Sequence, residues 1–179
     1  MSASRAQASR STRRDRTTSS RALTDTYSEF IAGIELRHLW LAALEVRNDH
    51  GPTTPQPGGV RVEDEATWEP RDGGFRIYHV YDLVFSGAGD TETPIATLRV
   101  TYGLEFSSAL PLTDDLFEVF STVNVPVNTW PYLRELVASI LGRFGWQPFA
   151  LPTLKRLPRR SSRRRSPRGI DAEAPEEPS

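Results

Sequence analysis

Cysteine is absent from the 179 residues, which excludes disulfides and any Cys-ligated zinc or iron–sulfur centre. Long apolar runs are missing too. The longest, Leu39–Leu44, falls far short of the ~18 residues of a membrane span, so no membrane insertion is expected. The N-terminus is positively charged but has no apolar segment of secretory type, and its Arg- and Ser-rich composition, which overlaps that of organellar transit peptides, shows no amphipathic face. A cytoplasmic protein is the expectation. Histidine is scarce: His38, His50 and His79 are the three present, with no Glu or third ligand at metal-binding spacing. No Gly-rich phosphate loop, nucleophile elbow or metal-hydrolase pair occurs. No catalytic residue, metal or other cofactor is therefore expected, and the chain does not read as an enzyme. A small enzyme or ligand-binding domain would need a closed pocket with converging polar groups, and no such constellation is visible.

What is present is unevenly distributed. The hydrophobic fraction of 37% is low because both ends are polar. Residues 1–21 hold six Arg, and 155–168 hold eight Lys or Arg, followed by four acidic residues in 171–177. Residues 22–154 keep eight basic and eighteen acidic residues, so the central part carries about −10 while the whole chain carries −1. The expected organisation is a disordered basic tail over 1–23, one domain over 24–155, and a disordered Arg-rich then acidic tail over 156–179.

The central part begins with strands. From Ile34 apolar residues alternate, with Ile34, Leu36, His38, Trp40, Ala42, Leu44 and Val46 on one face and Leu39 and Leu41 on the other. Further alternation marks strands over Val60–Trp68, Phe75–Phe85 and Ala96–Phe106, the first two joined by the Asp72-Gly73 turn. In the first of these, Glu63 and Glu65 share an acidic outer face while Asp64 points the other way. Then the period changes. Thr113 with Asp114 and Asp115 predicts a short helix through about Val123. Asn128 or Thr129, followed by Pro131, predicts the start of a second, longer helix. Leu133, Leu136, Val137, Ile140, Leu141 and Phe144 form its apolar face, and Gly145 its stop. Strands first and helices last is an α+β pattern: a four-stranded antiparallel sheet with a short helix and a long C-terminal helix on one face.

Such a sheet has one core side, yet apolar residues remain for the other. Leu39 and Leu41 on the first strand, Tyr78, Val80 and Val84 on the third, and Trp146, Phe149 and Leu151 after the helix form a surplus of the kind that marks an interface or binding groove. The Arg-rich segment Lys155–Arg168 offers a rival reading, a nucleic-acid-associated protein contacting phosphates through its tails. No aromatic residues interleave with these arginines, so base stacking is not indicated.

The sequence resembles the SecB family of export chaperones, in particular its shorter members linked to stress-responsive toxin–antitoxin systems. The likeness is carried by Val60–Trp68, Ala96–Phe106, Phe120–Glu135 with Asn128-Thr129-Trp130-Pro131-Tyr132-Leu133-Arg134-Glu135 at its centre, and Gly145–Pro152. It implies a homo-oligomer, dimer or tetramer, acting as an ATP-independent holdase for unfolded or nascent polypeptides, with delivery to the secretion motor protein SecA or service to a toxin–antitoxin pair. Client contact then falls to Leu39, Leu41, Tyr78, Val80, Trp146, Phe149 and Leu151. Trp130, Leu133, Val137, Ile140 and Phe144 become core or subunit interface. Glu63 and Glu65 become an acidic docking pair for a partner. The cationic tails depart from the family pattern, which puts delivery to the secretion motor in doubt.

Overall fold

The computed structural model describes residues 24–49, 57–154 and 159–164; His50 and the expectations for 1–23 and 165–179 lie outside them. A helix over 24–32 (α1) leads into strands β1 (Ile34–Asn48), β2 (Pro57–Arg71), β3 (Gly74–Gly87) and β4 (Asp90–Ser108). Helix α2 (Asp114–Arg143) and a short strand β5 (Arg159–Arg164) follow. Strands β2, β3 and β4 form an antiparallel meander whose first turn uses Gly73 at φ +72°, a left-handed conformation that glycine adopts without steric cost. Strand β1 pairs not with β2 but with the outer edge of β4, giving the order β1-β4-β3-β2-β5. The α+β architecture and the four-stranded antiparallel sheet thus follow the sequence pattern.

Over Val60–Trp68, Phe75–Phe85 and Ala96–Phe106 the predicted alternation is obeyed, and the register irregularities of these three strands lie outside those stretches. Ala66, Trp68, Ile77, Tyr81, Leu98, Val100 and Leu104 are buried on the helix side. β1 departs from it. Its register against β4 slips between Leu36 and His38 and again between Leu41 and Ala43, so Arg37 and Ala42 are extra residues, each a β-bulge. A bulge exchanges the faces of everything beyond it. Leu39 therefore pairs with Leu104 and Leu41 with Tyr102, both on the helix side, whereas His38 and Trp40 move to the far face. The expectation that Leu39 and Leu41 lie on the second face is corrected by these two bulges.

Helix α2 is one helix of 30 residues, not two. Thr113 caps it as expected, its side chain accepting from Leu116 N at 3.4 Å. Pro126 and Pro131 lie inside it, and Asn128 and Thr129 donate back to the carbonyls of Asn124 and Val125 instead of capping a new start. Burial of Val125, Thr129, Trp130, Leu133 and Val137 on the sheet carries the helix through both prolines. It ends where expected: Gly145 at φ +77° lets Trp146 N reach Leu141 O (3.1 Å) and Gly145 N reach Gly142 O (3.1 Å), a Schellman close. The chain then turns back onto the sheet, with Trp146 and Phe149 edge-on to Phe85 and Trp130 Nε1 donating to Pro152 O at 3.2 Å. Helix α1 fills the remaining end through Phe30, wedged between Phe75 and Phe120. Within the tail expected to be disordered, Arg159–Arg164 pairs in parallel with β2.

Candidate functional site: an apolar strip beside an open sheet edge

The two bulges determine what β1 offers. As the outermost strand it pairs only with β4, so its other edge carries backbone N–H and C=O groups with no strand partner among the described residues. Its helix-side residues are Leu36, Leu39, Leu41, Leu44 and Val46. The first two and Leu44 are half-buried, while Leu41 is 45% and Val46 40% exposed. Helix α2 passes beside this row. The Glu135 carboxylate is close enough to add to the effect of burial on Tyr102, the register partner of Leu41, whose hydroxyl pKa is pushed up to about 12. Tyr132 and Leu136, three residues before Glu135 and one after it, share that flank of the helix, and Tyr132 is 54% exposed. An extended apolar strip thus runs between the open edge and the helix.

The far face of the sheet is different in character. Trp40 lies across Gly103, where an added Cβ would come within 2.2 Å of its ring, and the Arg76 guanidinium stacks on it at 5.4 Å. Tyr78 and Val80 are half-buried in the middle of this face. Around them the acidic groups are neutralised from neighbouring strands. Arg99 bridges Asp82 (2.8 Å) and Glu65 (3.1 Å), while Arg76 binds Glu105 (2.6 Å) and approaches Glu69 (3.8 Å). Arg61 lies 3.9 Å from Glu63. The Arg76 hydrogen bond holds the Glu105 carboxyl below its usual range. This is a mixed-charge face, not the acidic one that β2 alone suggested. An open depression of about 560 Å³ continues it at one end, over Glu45–Arg47, Asp82–Val84 and Thr97–Arg99.

The residues expected to contact a client are therefore not in one place. Leu39 and Leu41 face the helix side at the sheet edge, and Tyr78 and Val80 occupy the opposite face. Trp146 and Leu151 are buried, which removes them from any open surface in this conformation, and Phe149 is half-buried against Phe85. Trp130, Leu133 and Val137 are core, with Ile140 and Phe144 partly buried around it. Sequence reasoning missed Leu44, Val46 and Tyr132. Alternation assigns the first two to the core face, to which the second bulge returns them, and hides that this row is left partly uncovered; Tyr132 is hidden by attention to the buried stripe of α2.

The two described histidines, His38 and His79, supply no site. His38 is exposed near Glu105. His79 is enclosed, its Nδ1 2.9 Å from Thr129 Oγ1 and its Nε2 2.8 Å from Asp64 Oδ2. Thr129 Oγ1 directs its own proton at Val125 O (3.0 Å), so it accepts from His79 Nδ1–H and from the Tyr81 hydroxyl at 2.8 Å. One proton then lies between His79 Nε2 and Asp64. This network ties β2, β3 and α2 together without access to solvent. Among the described residues no group of three His, Asp or Glu could hold a metal, and no helix is long and apolar enough to cross a membrane.

No family model and no curated protein matches the chain. Among solved structures it is similar to the Mycobacterium tuberculosis SecB-like chaperone Rv1957, solved in complex with a ChAD peptide from the Rv1956 HigA1 antitoxin. The TM-score is 0.60 at 19% identity, over 70% of this chain and 94% of that one. A Streptococcus agalactiae protein of unknown function aligns at a TM-score of 0.39 and 10% identity, over 66% of this chain and 96% of that one. The first likeness shows that the fold is SecB-like.

Proposed function

We propose that this chain is an ATP-independent holdase that takes extended, apolar segments of non-native polypeptides along the strip between β1 and α2. The observation that carries the reading is the β1 edge itself. Two bulges turn Leu39, Leu41, Leu44 and Val46 to one side, beside a strand edge that can hydrogen-bond to any extended backbone. Backbone pairing is indifferent to sequence, and apolar burial nearly so, which is what holding many clients without nucleotide requires. At ~25 cal/mol per Å², covering ~500 Å² of apolar surface supplies ~12 kcal/mol before ordering costs of similar size. Net affinity is then moderate and reversible. The SecB-like fold, and the antitoxin peptide that accompanies its M. tuberculosis neighbour, support a polypeptide as the ligand.

In this reading Leu39 and Leu41 are client contacts. Tyr78 and Val80 form a second contact area on the far face, beside Glu63 and Glu65 as a docking pair for an acceptor such as the secretion motor or a toxin–antitoxin partner. Val123 and Val127, exposed on the outer side of α2, supply a surface for assembly into a dimer or tetramer in the cytoplasm.

The test is light scattering by a chemically unfolded model protein, without nucleotide, at low and high salt. The full chain is expected to suppress aggregation at both. The full-length double variant Leu41→Asp/Val46→Asp, shown by circular dichroism to be folded, is expected to need at least tenfold more protein for the same effect. Equal suppression by the variant would remove the strip from the mechanism. Suppression by the parent that disappears with salt would point to the cationic tails and to nucleic acid as the ligand.

A further inference from the structure

The opposite edge of the sheet is closed in an unusual way. Without β5, strand β2 would be the second open edge; Arg159–Arg164 covers it in parallel, with Asp64 opposite Arg159 and Ala66, Thr67 and Trp68 opposite Ser162, Arg163 and Arg164. Little in this segment favours a permanent strand. Its sequence Arg-Arg-Ser-Ser-Arg-Arg has no β-branched, aromatic or other apolar residue. Its register is already irregular between Asp64 and Ala66. Parallel pairing is also slightly weaker per residue than the antiparallel pairing elsewhere in the sheet. It meets the domain at the β2 edge and comes near α2, and its cations complement a domain that carries about −10. Such an element opens far below the stability of the fold as a whole.

We propose that the β2 edge is a strand-addition site for extended basic polypeptide segments, kept closed in this chain by its own Arg159–Arg164 acting as a tethered pseudo-ligand. The occupant defines the ligand class. It must be extended, must present free backbone groups in parallel to β2, and must carry several cations and no apolar side chains. The site lies at the other edge of the sheet from the strip beside β1, so it stands or falls independently of client holding there. Tethering sets the strength of the closure. A segment joined by a short linker competes at an effective concentration of the order of millimolar. Against a free peptide of intrinsic Kd ~100 µM, that raises the apparent Kd by a factor of ~10.

The probe is a fluorescein-labelled peptide with the sequence of residues 155–168, followed by anisotropy at physiological salt. Its targets are the full chain and the full-length double variant Ser162→Pro/Arg163→Pro. Adjacent residues of a strand face opposite neighbours, so one of the two prolines removes an N–H directed at β2. Circular dichroism checks that the domain is intact. The peptide is expected to bind the variant about tenfold more tightly than the parent chain. Equal affinity for both chains would overturn the proposal, since nothing is then being held closed. So would tight binding to the variant by a peptide that itself carries the two prolines, because charge alone would then suffice. A variant that gains affinity for a short DNA duplex and none for the peptide would also overturn it, identifying the segment as a sequestered nucleic-acid arm.

Discussion

Thr129 shows how much one hydroxyl can hold in place. It receives Tyr81 and His79 from β3 while bonding its own helix at Val125, and through His79 it reaches Asp64 on β2. Valine has the same shape without the hydroxyl. Thr129→Val therefore takes away the acceptor that two buried donors share, at ~1–3 kcal/mol each, and is expected to lower stability by about 2–4 kcal/mol in urea unfolding. Adding Tyr81→Phe removes one of these donors. The double variant should lose less than the two single variants summed, because the groups share one network. Strict additivity would mean that Tyr81 and Thr129 do not depend on each other. The identities in this network were partly legible in the sequence. Strand alternation puts Asp64 on the core side of β2, and His79 falls in the same period as Phe75, Ile77 and Tyr81 on β3. The third member is not legible, because the sequence pattern places Thr129 at a helix start that does not exist.

The same misplacement governs the elements. Strands β2, β3 and β4 could be read from the sequence because each keeps one period through its central stretch, with irregularities only near the Pro57, Gly87 and Asp90 ends. β1 could not, because a bulge is a two-chain property that only the partner strand reveals, and its two bulges moved Leu39 and Leu41 across the sheet. Helix α1 has its own signal in the sequence: Tyr27, Phe30 and Ile31 at helical spacing, with Asp25 in the first turn. In α2 two prolines argued for a break, and tertiary burial overrode them. Pro126 is buried and fits its site, but Pro131 is exposed and still deprives the Val127 carbonyl of its helical partner. Pro131→Ala restores that hydrogen bond and helical preference, and is expected to raise stability by about 1–3 kcal/mol in urea unfolding. A midpoint that falls instead would show that the helix path set by Pro131 is what seats Trp130 and Leu133.

At the scale of the whole molecule, pH separates burial from surface charge. Tyr102 is raised to about 12, first by burial and then by the Glu135 carboxylate, and Tyr27 is raised by burial. The native state keeps these protons while the unfolded chain releases them near pH 10. Their contribution is therefore complete below pH 10 and is lost as pH rises from there to about 12. For Tyr102 that amounts to about 2–3 kcal/mol. Lysine usually obscures this window, but the chain has a single lysine, Lys155. At the other end Glu105, lowered by Arg76, contributes above its ordinary value, and that contribution is lost as pH falls through its depressed one. Being on the open face, it adds little. The stability profile is therefore expected to be lopsided, with a shallow acid limb and a steep alkaline limb between pH 10 and 12 that coincides with tyrosinate absorbance at 295 nm. Glu135→Gln should shift that absorbance step to lower pH by removing the smaller of the two causes, leaving the acid limb unchanged. An alkaline limb that is flat up to pH 12 would mean that Tyr102 meets solvent as the molecule breathes. Helix α2 would then not be seated over β4 as the position of Glu135 requires, and the strip beside β1 would be wider than the structure draws it.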